Sequence, residues 1–268
     1  MKLVMRKVGW ILFGTLVVLA IPYFLPAEDQ VVIWLRNGVY LLTPLIAIVA
    51  GFFTVRAYGF PSEHSRNFML IIAGLGLWFV GEVIFSSYTL AGIDPYPSIA
   101  DIFYLLAYPF LMVGFYWESR SLKARLSSGD RVLFAVFCLL TAAVVFYTGV
   151  FRAFDPELPF ANNFVAITYG LADLILLIAT ARALLLARTF HGGSLSKAWI
   201  ALFAATLIIM IADIIYSLYN VGYDAGLAPY YLMDLLWMIG YVLYAYGFIA
   251  IAVLIRSVQG KIQPRVSK

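Results

Sequence analysis

The sequence has few charged residues. Only 12% of its 268 residues are Asp, Glu, Lys or Arg, whereas 64% are hydrophobic. Soluble domains carry about 25% charged residues. This shortage excludes an ordinary water-soluble domain, and we expect an integral membrane protein.

Cysteine and histidine are also scarce. The single cysteine, Cys138, excludes an intramolecular disulfide. The two histidines, His64 and His191, lie in predicted connections, which argues against a His-rich zinc hydrolase, a bis-His haem or a copper site. We therefore expect no cofactor, while the sequence leaves a bound metal ion open.

Long hydrophobic runs are what the sequence does have. A membrane span needs about 20 mostly apolar residues. Eight segments qualify: 8–25, 31–55, 68–90, 98–117, 132–151, 163–187, 197–219 and 229–255. The connections between them are short, so binding or catalysis falls to the helices and their ends. The sequence predicts an all-α polytopic membrane protein with eight transmembrane helices.

Lysine and arginine are distributed unevenly between the two predicted sides. Of the eighteen, only Arg36 and Arg152 fall on the side where odd-numbered spans connect to the next span. Basic residues concentrate on the cytoplasmic side of membrane proteins. We therefore predict a protein of the cytoplasmic (inner) membrane of a prokaryotic cell, with both termini in the cytoplasm. The net charge of +4 then reflects contact with anionic membrane lipids, and nucleic acid is not an expected partner.

The first hydrophobic run follows Lys2, Arg6 and Lys7, as in a secretory signal. It lacks a small-residue cleavage site, and a second span follows it. We expect it to remain as the first helix.

The second half of the chain resembles the first. At an offset of 131 residues, GEVIFSSY (81–88) aligns with ADIIYSLY (212–219) and matches Glu82 with Asp213. At an offset of 133, DIFYLLAYPFLMVGF (101–115) aligns with DLLWMIGYVLYAYGF (234–248) and matches Asp101 with Asp234. Only 14 acids occur in the chain, so these matches indicate duplication. We predict two parallel four-helix repeats, residues 1–125 and 126–268, related by a pseudo-two-fold axis along the membrane normal.

The matched acids share helix faces with aromatic residues. Asp101, Tyr104 and Tyr108 are spaced i, i+3 and i+7 on one face of the fourth helix, and an equivalent face lies on the eighth. An ionised carboxylate at the centre of a span costs about 2.5–3.5 kcal/mol, so such residues usually face protein or water and mark function. We predict an outward-facing acidic and aromatic pocket. Its expected ligand-binding residues are Glu82, Asp101, Tyr104, Tyr108, Asp213, Asp234, Trp237 and Tyr241.

These acids also have simpler interpretations. Asp101 follows PSIA and could cap the fourth helix. Glu82 and Asp213 could be protonated carboxyls that hydrogen-bond across helices to serine or tyrosine. Asp173, near the middle of the sixth span and opposite Pro44 in the repeat, is a possible coupling residue for transport.

The stretch PYPSIADIFYLLAYP (95–109), preceded by GEVIFSSY, resembles the multi-span N-terminal membrane sensor regions of bacterial and archaeal diguanylate cyclases and histidine kinases. The matching positions are Pro97, Ser98, Asp101, Tyr104, Tyr108 and Pro109. The resemblance implies reception of a signal that is passed to a cytoplasmic output domain. After Arg256 only SVQGKIQPRVSK remains, so we expect a separate cytoplasmic or membrane signalling partner instead of an attached output domain.

The expected function is sensing or binding of a small ligand, a cation or a lipid, without covalent chemistry. Pro109 is expected to kink the fourth helix, so that binding at Asp101 shifts the inner end beside Glu118. Three alternatives stay open: a proton- or cation-coupled small-solute transporter, an intramembrane carboxylate-dependent lipid hydrolase, and a structural subunit of a membrane complex.

Overall fold

The structure, a computed structural model, describes residues 2–26, 29–189, 193–224 and 229–262. The predicted cytoplasmic placement of His191, Arg265 and Lys268 lies outside the described residues. Within the described ranges the chain is helical and has no β-strand.

Eight long α-helices account for most of the described chain. They are α1 (Lys2–Ala20), α2 (Gln30–Tyr58), α3 (Glu63–Leu90), α4 (Ile99–Ser121), α5 (Ser128–Val145), α6 (Phe160–Arg188), α7 (Ser194–Asp224) and α8 (Asp234–Ile262). Short 3₁₀ turns cover Ile21–Phe24 and Tyr230–Met233, and a π-helical segment, Phe146–Phe151, extends α5.

The predicted all-α fold with eight apolar helices is confirmed, since eight helices in the described ranges are long and apolar enough to cross a membrane. Most of them extend beyond the predicted limits; α1, for example, begins at Lys2. The reason is physical: a helix ends where its terminal backbone groups find caps, not where hydropathy falls. Asp29 accepts from the Val31 amide at 2.8 Å before α2, and Ser62 accepts from the Ser65 amide at 3.2 Å before α3.

Six of the helices form a closed ring. Going around it, α2 packs against α3, α3 against α4, α4 against α6, α6 against α7, α7 against α8, and α8 against α2. Helix α1 lies outside the ring, mainly against α8, and α5 lies outside it against α6. The first and last helices of the ring therefore close on each other.

Glycines let the ring helices approach closely. A Cβ atom at Gly114 of α4 would lie 3.0 Å from the Asn67 carbonyl oxygen of α3. A Cβ atom at Gly247 of α8 would lie 3.1 Å from the Ala198 carbonyl oxygen of α7. Small residues that allow backbone contact are typical of helix packing in membranes.

Large apolar side chains face away from the bundle. Trp10 of α1 is 68% exposed, Leu139 of α5 is 71% exposed and Phe160 of α6 is 82% exposed. Apolar surface of this extent is stable when lipid covers it. The eight apolar helices and this surface indicate a multi-pass membrane protein.

The two ends of the bundle are named here by their buried acids. At the Asp101 end, α2, α4, α6 and α8 begin. At the Glu118 end, α1, α3, α5 and α7 begin.

Candidate functional site

Five carboxyl groups lie inside the helix ring, together with tyrosine and tryptophan side chains that bond to them. We call this set the acidic cluster, and its acids are Glu82, Asp101, Asp173, Asp213 and Asp234. Asp101 and Asp234 lie in the first turns of α4 and α8. Asp173 is thirteen residues into α6, which at 1.5 Å per residue is about 20 Å from the start of the helix. The cluster therefore extends from the Asp101 end toward the middle of the bundle.

Glu82 of α3 accepts hydrogen bonds from three tyrosines on three other helices. Tyr40 of α2 and Tyr241 of α8 donate to Oε1 at 2.8 and 3.0 Å, and Tyr104 of α4 donates to Oε2 at 2.7 Å. Its side chain is 8% exposed. A buried carboxylate needs such donors to offset the loss of water. One side chain thus connects α2, α3, α4 and α8.

Asp173 of α6 and Asp213 of α7 form the deepest part of the cluster. Their carboxyl groups lie close enough to interact with each other. Tyr108 donates to Asp173 at 2.5 Å, and the Trp237 indole donates to Asp213 at 2.7 Å. Two carboxyl groups from adjacent helices thus lie together inside the bundle.

Asp101 closes a capping box at the start of α4. Its Oδ2 accepts from the Ser98 amide at 2.6 Å, and the Ser98 hydroxyl accepts from the Ala100 amide at 3.1 Å. The other carboxylate oxygen accepts from Tyr169 of α6 at 2.7 Å. Asp101 has the capping role that the sequence allowed, and it also joins α4 to α6.

Asp234, the first residue of α8, accepts from two tyrosines. Tyr23, after α1, donates at 2.9 Å, and Tyr223 of α7 donates to the second carboxylate oxygen. Nearby, the buried Arg36 guanidinium donates to the carbonyls of residues 22 and 25 at 3.0 and 2.7 Å, and it lies 4.2 Å from the centre of the Tyr231 ring. The segment after α1 is thus anchored beside Asp234.

Trp78 of α3 contacts one tyrosine from each half of the chain. The Tyr108 and Tyr241 rings approach it edge-on, with centroids at 5.6 and 6.4 Å. These two tyrosines occupy matched positions in the sequence alignment. Tyr108 of α4 bonds to Asp173 in the second half of the chain, and Tyr241 of α8 bonds to Glu82 in the first half.

Several members of the cluster are only half-buried. They include Tyr104, Asp213, Asp234 and Trp237, although their polar atoms contact neighbouring helices. Glu82, Asp101 and Asp173 are buried, at 8%, 6% and 3% exposure.

The structure brings the nine residues singled out from the sequence into one continuous set. Ring contacts of Tyr169 with Tyr104 and Tyr108, with centroids at 6.5 and 6.3 Å, link Asp101 to the rest. A ring contact of Tyr223 with Trp237, at 5.9 Å, links Asp234. Glu82, Asp173, Asp213 and Tyr241 are joined through the hydrogen bonds and the Trp78 contacts described above.

The sequence reasoning missed other members of the cluster. They are Tyr23, Tyr40, Trp78, Tyr169 and Tyr223. For Tyr40 and Tyr169 a signal existed, because they align with each other in the repeat. Trp78 aligns with Ile209, so the repeat pattern carried no signal for it.

The described residues contain no group of three or more His, Cys, Asp or Glu side chains placed to hold a metal ion. In comparisons with known proteins, no family model, no curated protein and no solved structure matches this chain.

Proposed function

We propose that this chain is a membrane protein that binds a small cationic ligand in the acidic cluster and transmits that binding along its helices. The observation that carries the proposal is the set of five carboxyl groups and aromatic rings inside the helix ring. None of these acids forms a salt bridge in the part of the chain that the structure describes. Arg36 supplies positive charge only near Asp234. Carboxylates in a low-dielectric interior favour a cation, and the surrounding aromatic rings add cation–π attraction.

The orientation of the bundle supports entry from outside the cell. Arg66, Arg120, Arg182 and Lys197 lie on helix segments near the Glu118 end. By the positive-inside rule that end faces the cytoplasm, so the Asp101 end is external. The ligand then reaches Asp101 and Asp234 first and Glu82 next. This agrees with the resemblance of residues 95–109 to membrane sensor regions.

The internal repeat also belongs to this proposal. Around the ring, α2, α3 and α4 are followed by α6, α7 and α8. If each helix is replaced by its counterpart in the other half of the chain, the order of contacts around the ring is unchanged. The Tyr104 bond to Glu82 and the Trp237 bond to Asp213 lie at matched positions. Both observations support two four-helix repeats, 1–125 and 126–268.

Glu82 provides a route for transmitting the signal. A cation that binds its carboxylate competes with the hydroxyls of Tyr40, Tyr104 and Tyr241, and this loosens the attachment of α2, α4 and α8. Helix α4 contains Pro109 and ends beside Glu118. Movement of α4 therefore reaches the cytoplasmic end, where a signalling partner would respond. Binding shifts the population between two helix arrangements.

Tryptophan fluorescence of the purified protein tests cation binding, because Trp78 and Trp237 lie in the cluster. We expect a saturable change on titration with tetramethylammonium, sodium or potassium chloride. Glu82→Gln keeps the shape and removes the charge, and should weaken binding about tenfold or more. Glu157→Gln removes an exposed acid near the Asp101 end and should bind like the unaltered protein. A flat response to all three salts, or equal binding by Glu82→Gln, contradicts the proposal.

The Asp173–Asp213 pair favours a second candidate, a proton-coupled carrier of small solutes. Carboxylates at the interface of repeats are typical of such carriers, and Asp173 contacts Asp213 at that depth. Proteoliposomes with an imposed proton gradient should then accumulate the bound cation, and Asp173→Asn should abolish uptake while leaving binding measurable. Saturable binding without uptake supports the sensor.

A further inference from the structure

A pocket lies at the Glu118 end, between α3 and α4 and away from the acidic cluster. It has a volume of about 490 Å³ and is lined by Glu63, Arg66, Asn67, Trp117 and Arg120. Its charged groups differ from those of the acidic cluster, because arginines predominate.

The two arginines of this pocket carry positive charges that a ligand can reach. Arg66 and Arg120 are exposed, and in the described residues neither forms a salt bridge. The neighbouring acid cannot neutralise them, because the buried Glu118 is already engaged with His64 at 2.8 Å and Asn67 at 3.0 Å. Two guanidinium groups on adjacent helices are thus available for an anion with several oxygens, such as a phosphate.

Glu63 gives the pocket one negative charge. Its Oε1 accepts from the Ser121 hydroxyl at 2.7 Å, and its side chain is exposed. In the described part of the chain Glu63 has no salt bridge with Arg66 or Arg120. A carboxylate accepts several hydrogen bonds, so Glu63 has capacity left for a cationic donor.

Trp117 provides an apolar wall that faces away from the bundle. It is 51% exposed, and the preceding Tyr116 is 45% exposed. Tryptophan and tyrosine at the end of a membrane helix lie at the level of the lipid headgroups. A membrane lipid can therefore reach the pocket from the side.

We propose that this pocket binds the headgroup of a zwitterionic aminophospholipid. Its phosphate lies between Arg66 and Arg120, its primary ammonium donates to Glu63, and its glycerol region packs on Trp117. The proposal depends on the membrane placement above and is independent of cation binding in the acidic cluster. Glu63 disfavours lipids with net negative charge, and a quaternary choline group has no N–H to donate to Glu63.

Native mass spectrometry of the detergent-purified protein tests this assignment. The probes are phosphatidylethanolamine, phosphatidylcholine and phosphatidylglycerol with identical acyl chains. We expect the ethanolamine lipid to bind most tightly. Arg66→Gln and Arg120→Gln should each weaken its binding about fivefold, as expected for one basic residue near a lipid headgroup. Arg56→Gln, an exposed arginine at the same end of α2, is the matched control and should have no effect.

Glu63→Gln separates recognition of the amine from recognition of the phosphate. It should remove the preference for ethanolamine over choline lipid and leave binding of the choline lipid unchanged. Equal binding of the ethanolamine and choline lipids by the unaltered protein overturns the proposal, as does unaltered binding in both arginine variants. Soluble phosphoethanolamine binding as tightly as the lipid would assign the site to a free headgroup compound and would also overturn it. The tryptophan fluorescence titration with cations separately tests whether the acidic cluster binds a cation.

Discussion

Glu82 illustrates how one residue joins several helices. Its two carboxylate oxygens accept from three hydroxyls, and these come from α2, α4 and α8. Hydrogen bonds to charged groups contribute about 1.5–3 kcal/mol each, more than neutral ones do. A residue so well satisfied holds the ring together, and any ligand must compete with bonds that already stabilise the fold.

Removing one of these hydroxyls should destabilise the protein measurably. Tyr241→Phe keeps the ring packed on Trp78 and removes the donor to Glu82. We expect the free energy of unfolding to fall by about 1–2 kcal/mol, because one acceptor site of a buried carboxylate is left empty. Thermal unfolding in detergent, followed by intrinsic fluorescence, measures the change. Tyr147→Phe is the control, since Tyr147 is 58% exposed, and equal melting of both variants would contradict the prediction.

At the scale of the element, α4 combines a capping box, tyrosines of the acidic cluster and close packing against α3. It begins with the capping box of Ser98 and Asp101, carries Tyr104 and Tyr108 into the cluster, and ends beside the buried Glu118. Gly114 lets its C-terminal half approach α3. The helix therefore runs without a break from the acidic cluster to the Glu118 end, with Pro109 inside it.

The close contact between α3 and α4 can be tested at Gly114. In Gly114→Ala the added methyl group meets backbone atoms of Asn67 and Ile71 at 3.0 Å, so the helices must separate. We expect a loss of about 1–3 kcal/mol of stability, as for other overpacked cores. Gly76→Ala is the control, because nothing lies within 4 Å of its added methyl. It should be neutral or slightly stabilising in the same melting assay; a loss in both variants would contradict the contact.

The sequence predicts the helices well because each membrane span must satisfy its own backbone hydrogen bonds within one apolar run. It also identifies the acids, since they are scarce and recur at matched positions. Side-chain partners were harder to foresee. Tyr108 bonds to Asp173, where the repeat would pair it with Asp213, and Tyr169 bonds to Asp101. Such choices depend on how helices from different halves pack, and local sequence does not encode that packing.

At the scale of the whole molecule, the ring explains why acids and tyrosines from both halves meet. Helix α2 closes on α8, and α4 packs against α6. Each of these two contacts joins the first half of the chain to the second. The cluster therefore lies where the halves meet, and neither half forms it alone.

The orientation of the bundle can be measured by cysteine labelling. In a Cys138→Ser background, Glu157→Cys lies near the Asp101 end and Ser128→Cys at the Glu118 end, and both positions are exposed. We expect a membrane-impermeant maleimide added to intact spheroplasts to label position 157, because the proposed orientation places the Asp101 end outside the cell. Position 128 should react only after lysis. The reverse pattern would place the cluster on the cytoplasmic side and exclude an external ligand.

The hydrogen bonds of Tyr108 and Tyr241 both join one half of the chain to the other. Each tyrosine donates a hydrogen bond to an acid of the opposite half, and both rings contact Trp78. Sliding of one half against the other would therefore strain both hydrogen bonds. The two bonds and the shared Trp78 contact therefore resist that displacement together.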